Sequence, residues 1–292
     1  ARRWDAALSH WALPCAVATG LGFDAHRHVA VWHSADVQLA TRLLGRRAWQ
    51  ATRALAREHV FVAEHLRARV GAARDVRAHV VPMGVDLPAR PPQRRSIDGR
   101  RLRALVLARL VPIKRVELAI AACADAGVEL VIAGDGPERL GLERLARARG
   151  GRVRFEGTVS PARRDALFAE SDVLLACSAH DPRGVTEGYP VAPREALAHG
   201  VVVIATRDPV HEELARRCGR AVILRAPDAL ASSLRALSSD PTEISRLSRL
   251  APEHVEADGW RSVGLRIERL LEGPRSNIAE RSDLDASRAG VR

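Results

Sequence analysis

Two glutamates eight positions apart, Glu187 and Glu195, close the ends of the string EGYPVAPRE (187–195) and are the residues best placed to do chemistry. Between them Gly188 lets the backbone approach a ligand, and Pro190 and Pro193 fix the turn into a helix. A helix start offers unbonded N–H groups and the positive end of the helix dipole, so it favours a phosphate. Each glutamate also has a plainer reading. Glu187 reads equally as a solvated loop carboxylate, and Glu195, expected in the first helical turn, is favoured there by the dipole alone. A second pair, Arg109 and Lys114, brackets a turn stiffened by Pro112. Two cations converging on a helix start can neutralise a diphosphate. Arg109 is one of 45 arginines and means little by itself, whereas Lys114 is the only lysine. GDGPE (134–138) matches part of a dinucleotide fingerprint, but Arg139 follows where GxGxxG needs its third glycine, which weakens a hydride-transfer reading.

The elements that must carry these residues are legible from about residue 100 onward. Short Val/Ile/Leu runs at 103–110, 128–136, 153–157, 172–178, 201–206 and 221–226 alternate with helical stretches of 8–15 residues. Such runs are strands buried on both faces, hence a parallel sheet of right-handed βαβ units. Prolines 137, 161 and 193 are expected in first helical turns, and glycines 150, 200 and 219 after last turns. In a doubly wound sheet ligands sit beyond the carboxyl ends of the strands. The loops to inspect are therefore Arg109–Lys114, Gly134–Pro137, Gly157–Val159, Ser178–Pro193 and Thr206–Glu212. The rhythm repeats less completely upstream, with apolar runs at 28–34, 58–66 and 78–85. The expected organisation is α/β with two Rossmann-like parallel-sheet domains, the N-terminal one incomplete. Residues 1–88 form that partial domain, 89–101 a Pro- and charge-rich linker, and 102–258 the complete domain. A helix at 259–273 returns across the domains, and 274–292 is a polar tail.

The chain's 292 residues and 31.7 kDa suit two domains. With 47% apolar and 28% charged residues it is globular in composition. No apolar run reaches the roughly 18 residues of a membrane span, and no secretory signal is visible. Cys15, Cys123, Cys177 and Cys218 lack CxxC or His-paired spacing, which argues against zinc or a disulfide scaffold and suits a reducing cytosol. The net charge of +11 is concentrated early, with 16 bases against 8 acids in residues 1–100 and 30 against 27 thereafter. Almost all of the bases are arginine, and the chain has one Tyr and one Met, as a GC-rich genome would produce. Arg42, Arg46, Arg47, Arg53 and Arg57 read as a solvated face or as a patch for an anionic membrane surface. Aromatic content of 3% leaves few stacking platforms, so nucleic acid is not an expected partner.

Several strings together resemble the retaining GT-B glycosyltransferases of family four, also called glycosyl transferases group one. They are VVPMGVDL (80–87), LARLVPIK (107–114), VIAGDGPER (131–139), VRFEGTV (153–159) and, above all, EGYPVAPREALAHGVVVIAT (187–206). The likeness runs from residue 1 to about 272 and is most specific over 102–206. It implies transfer of a sugar from a UDP- or GDP-type donor to an acceptor hydroxyl with retention, needing no metal or other cofactor. By the same resemblance Arg109 and Lys114 hold the diphosphate, with Gly134 near it, and Glu195 receives the ribose hydroxyls. Glu187, with backbone N–H groups from Gly188, Tyr189, Pro190 and Val191, meets the donor sugar and phosphate. Backbone at Gly157, Thr158 and Val159 meets the base, and His33 is the catalytic histidine, with His10 a weaker candidate on the acceptor side. A capping or buried structural histidine is the competing reading of His33. The acceptor would be a sugar, a lipid-linked or a small molecule in polysaccharide, glycolipid or glycoside synthesis. The expected location is cytoplasmic, with peripheral contact at the inner membrane face through the basic first domain as the further expectation.

The sequence also departs from that family. Nothing matches the family's opening strand, Gly-rich turn and helix; the chain opens on Ala1 near the segment DAALSHWALP (5–14), as though roughly 60 residues were absent. TRDPVHEE (206–213) lacks the usual glycine pair, and AHDPRGVT (179–186) is a longer insert. A DxD triplet at Asp283–Asp285, the metal motif of a different glycosyltransferase fold, falls in the polar tail and reads as chance. The competing expectation is a non-catalytic nucleotide-sugar-binding protein or truncated partner subunit.

Overall fold

The computed structural model describes residues 5–22, 28–89, 100–179 and 187–272. Most of the expected linker, most of the insert at 179–186 and the tail with Asp283–Asp285 lie outside the described residues.

Among the described residues, ten strands form two wholly parallel sheets. The first has the order β1 (Ala7–His10), β2 (His28–Trp32), β3 (Glu58–Phe61), β4 (Ala78–Val80). Its helices are α1 (Val17–Gly22), α2 (Ser34–Leu44), α3 (Ala48–Thr52) and α4 (Glu64–Val70). β2 is buried along its whole length, as HVAVW suggests. β1 is an addition to the sequence reading. Its four residues, ALSH, carry no β-branched side chain, and pairing with β2 (Leu8 opposite Val29) is what makes them a strand.

The second sheet contains β5 (Arg103–Leu107), β6 (Glu129–Ala133), β7 (Val153–Gly157), β8 (Val173–Ala176), β9 (Val202–Thr206) and β10 (Val222–Arg225). Their spatial order is β10-β9-β8-β5-β6-β7, so winding reverses between β5 and β8. The helices are α5 (Val116–Ala126), α6 (Arg139–Arg149), α7 (Pro161–Glu170), α8 (Val191–Ala198), α9 (Pro209–Cys218), α10 (Leu230–Ser239), α11 (Pro241–Leu250) and α12 (Trp260–Glu272). Ser160, Asp208 and Asp240 each cap the helix that follows by accepting a backbone N–H at 3.3, 3.1 and 2.9 Å. Pro161 opens α7 as expected, whereas Pro137 precedes α6 by two residues.

Side-chain alternation along the strands sorts the core. Ala104, Val106, Leu130 and Ile132 pack with Ile120 and Cys123 of α5 and Leu234 of α10. Leu105 and Ala133 face the other way, with Leu167 and Phe168 of α7, in a core continuous with Trp32 and Phe61 of the first sheet. The segment after β4 leads away through a bridge in which Val85 N donates to Asp258 O at 3.0 Å. From there α12 returns to contact β2, with Val263 buried. Among the described residues no helix is long and apolar enough to cross a membrane.

Candidate functional site

The reversal of winding between β5 and β8 opens a crevice at their carboxyl ends. Lys114 follows β5 and Glu187 follows β8, and here the two form an ion pair although 73 positions separate them. Lys114 ends a short turn, Pro112–Lys114, whose last N–H bonds Val111 O at 2.9 Å. Glu187 also accepts from Ser178 Oγ at 2.9 Å. Burial by itself would push the Glu187 carboxyl up, but the Lys114 ammonium outweighs it and holds the group below the usual carboxylate range. Pro190 and Val191 line the same hollow.

The neighbouring loops are welded to this one. Ala108 N donates to Ala133 O at 3.1 Å and Leu110 N to Asp135 O at 2.9 Å. Gly134 makes that approach possible: at φ +132°, a Cβ there would lie 1.9 Å from Ala108 O. Gly134 thus shapes the loop bearing Arg109, whose exposed side chain forms no hydrogen bond or ion pair with the described residues. Gly157 O receives Gly134 N at 2.7 Å, and Thr158, exposed, and Val159, half-buried, continue that rim.

At the start of α8 the backbone N–H groups of Gly188 and Tyr189 bond none of the described residues, and that of Val191 is one of the helix's first, intrahelically unbonded donors. Pro190, grouped with them at first, has no N–H and contributes shape only. The Tyr189 ring is packed between the guanidiniums of Arg194 (4.9 Å) and Arg217 (5.9 Å), and burial pushes its phenol up to about 12. Only its backbone is therefore available. Glu195 is the fifth residue of α8, not in the first turn as expected, so the helix dipole does not account for it. Burial pushes its carboxyl up, with Arg164 opposing from 2.7 Å.

The first sheet closes the other side of the crevice. A Cβ on Gly188 would stand 3.6 Å from Ser34 N and from Val62, so this loop lies against the start of α2. His65 Nε2 donates to Glu187 O at 3.1 Å, and Glu213 of α9 accepts Glu64 N at 2.9 Å. His33 stands just before α2. Its N–H donates to Asp36 Oδ1 at 2.7 Å, its ring nitrogen Nε2 is 3.3 Å from His10 Nδ1, and its ring lies tilted beside Trp11, centroids 5.5 Å apart. Burial, with His10 nearby, lowers His33 to about 4, so the imidazole is neutral at pH 7. Burial pushes Asp36 up to about 6.

Sequence reasoning did not single out His65, Arg164, His211 or Glu213. Buried His211 donates from Nδ1 to Thr206 O at 2.8 Å and feels the charges of Glu187 and Lys114. Its only sequence signal is its place just after β9. A separate hollow of about 420 Å³ lies at the opposite, starting ends of β5–β7. Its charges are mutually paired, Glu129 with Arg103 (3.5 Å) and Arg152 (3.6 Å), and it holds none of the candidate site residues. Among the described residues no group of three or more His, Cys, Asp or Glu could hold a metal.

The chain is 33% identical over 205 residues to the GDP-mannose-dependent alpha-(1-6)-phosphatidylinositol dimannoside mannosyltransferase of Mycobacterium tuberculosis, a stretch covering 66% of this chain and 50% of that protein. It is 30% identical over 247 residues to the GDP-mannose-dependent alpha-mannosyltransferase of Mycolicibacterium smegmatis, covering 76% and 62%. The chain thus spans about half the length of the first relative and under two thirds of the second. Among solved structures, Anabaena HepE in complex with UDP superposes with a TM-score of 0.73 at 17% identity, covering 91% of this chain and 78% of that one. The sucrose-phosphate synthase of Thermosynechococcus elongatus gives 0.72 at 18%, covering 91% and 73%. At such identities the likeness concerns the fold, which is GT-B with a small first sheet. Residues 91–254, which include the whole second sheet and both glutamates, match the model of the family Glycosyl transferases group 1, and the chain belongs to that family.

Proposed function

We propose that the protein transfers a sugar, with GDP-mannose as the first donor to test, to an acceptor hydroxyl with retention at the anomeric carbon. The observation that carries this reading is the Lys114–Glu187 pair at the winding reversal, held against the start of α2 beside His33. The donor class follows the printed activities of the two mannosyltransferase relatives.

As the glycosidic bond breaks, the sugar gains oxocarbenium character and the nucleoside diphosphate gains negative charge. Lys114 and Arg109, with the N–H groups of Gly188, Tyr189 and Val191, stabilise that growing charge without requiring a metal. Each such preorganised donor is worth on the order of 3 kcal/mol of barrier. Glu187 accepts from the sugar hydroxyls, Glu195 from the ribose, and the Gly157–Val159 backbone meets the base. His33, neutral at pH 7, faces the sugar as a hydrogen-bonding partner.

The acceptor is proposed to be lipid-linked and reached at the inner membrane face. Leu39, Arg42 and Leu43 are exposed on α2, and Arg46 and Arg47 are exposed in the turn that follows it, so cations adjoin exposed apolar side chains. The test is incubation of the full-length protein with GDP-mannose or UDP-glucose and vesicles containing phosphatidylinositol. Release of GDP with mannose on the lipid supports the reading. Absence of turnover together with absence of GDP and UDP binding by calorimetry overturns it. Charge reversal at Arg42, Arg46 and Arg47 is expected to abolish co-sedimentation with those vesicles.

A further inference from the structure

Glu195 has a partner that no motif announced. Arg164, in the first turn of α7, donates from Nη1 to Glu195 Oε1 at 2.7 Å, while Oε2 bonds none of the described residues. The remaining nitrogens of that guanidinium are also engaged. Nε donates to Asp165 at 3.0 Å, and Nη2 lies 3.5 Å from Asp86, in the segment that leaves β4 toward the second sheet. Three carboxylates thus fix one arginine, and the arginine in turn fixes the most buried of them.

We infer that Arg164 is a positioning residue for the nucleotide, clamping one oxygen of Glu195 so that the other meets the ribose hydroxyls as an ionised acceptor. The inference rests on the proposed role of Glu195 at the ribose. Its chemistry is direct. A ribose diol brings two O–H donors and needs an acceptor; a protonated carboxyl would bring a competing O–H. Burial favours that protonated form, and a glutamate left alone has three rotatable bonds. A charge-assisted bond from Arg164 opposes both tendencies.

The test measures binding of GDP and 2′,3′-dideoxy-GDP by calorimetry, with donor KM and kcat alongside, for wild type, Arg164→Ala, Arg164→Gln and Arg164→Lys. Wild type is expected to prefer GDP by at least about tenfold, because a site built for hydroxyls rejects the analogue lacking them. In Arg164→Ala that preference falls to about twofold or less and donor KM rises about tenfold, with kcat within about threefold of wild type. Arg164→Lys restores most of the preference. Arg164→Gln, which keeps the start of the stem and a hydrogen-bonding amide but not the charge, behaves as Ala does and guards against a folding defect. Retention of the preference in the Ala and Gln variants, or equal weakening of both ligands, overturns the inference. A wild type that does not distinguish the two nucleotides overturns the ribose role of Glu195 and this inference with it. A wild type that binds neither GDP nor UDP overturns the proposed donor class first.

Discussion

Replacing Lys114 by Met removes the cation but keeps most of the stem. It leaves Glu187 nearly buried, still accepting from Ser178 but without the ammonium. Breaking a buried pair by deleting one member costs 3–5 kcal/mol in general, and Lys114 is 27% exposed, so about 3 kcal/mol is expected. That is a large share of the roughly 5–15 kcal/mol available to a folded domain, yet most molecules stay folded at 25 °C. The Glu187 carboxyl, now held low by Lys114, would rise under burial alone. A raised carboxyl favours the folded state when protonated, so the stability deficit should be larger at pH 8 than at pH 5. Losing the same ammonium at the diphosphate should lower turnover about 100-fold. The double variant Lys114→Met/Glu187→Gln separates the two effects. Urea unfolding should return to within about 1 kcal/mol of wild type, while sugar transfer stays lost. Wild-type stability in the single variant would show that the pair contributes nothing to the fold. Recovery of turnover in the double variant would remove Lys114 from the chemistry.

Three further outcomes are expected. Gly134→Ala drives a Cβ into the Ala108 carbonyl at a positive φ, so a melting temperature lowered by several degrees, from about 2 kcal/mol or more, is expected; an unchanged melt would contradict the close approach of the two loops. His59 is fully buried, accepts from Trp32 Nε1 at 2.9 Å and is lowered by burial to about 4. A histidine lowered from 6.5 stabilises the fold above pH 6.5 and loses that contribution as pH falls toward 4, about 3 kcal/mol in all. Wild type should therefore lose stability between pH 7.5 and 4.5 by more than His59→Gln does, as read by urea unfolding at the two pH values. His33→Ala should lower kcat by about 100-fold with donor KM little changed, and a KM effect alone would recast His33 as a binding residue.

The second sheet was legible because its strands are buried on both faces. VVIAT and VLLA read as near-continuous apolar runs, and Ser160–Pro161 marks a helix start by local chemistry alone. β1 was illegible for the converse reason: ALSH has no strand preference until β2 lies beside it. Glu195 was misplaced by a turn, since a start at Val191 depends on Pro190 adopting an extended cap. Gly134 was noticed for the right spacing, but its need comes from a carbonyl on another loop.

Residue type and spacing, taken alone, determined the α/β class, the strand-end loops and the singularity of Lys114, because burial and helix capping are local properties of a chain. Only tertiary structure decided that the strand order reverses between β5 and β8, that Lys114 meets Glu187, that Arg164 holds Glu195, and that His65 reaches the Glu187 carbonyl. Those contacts join residues 31 to 122 positions apart. Local periodicity carries no information about which loop ends share a crevice; the packing of helices on both faces of a twisted sheet does.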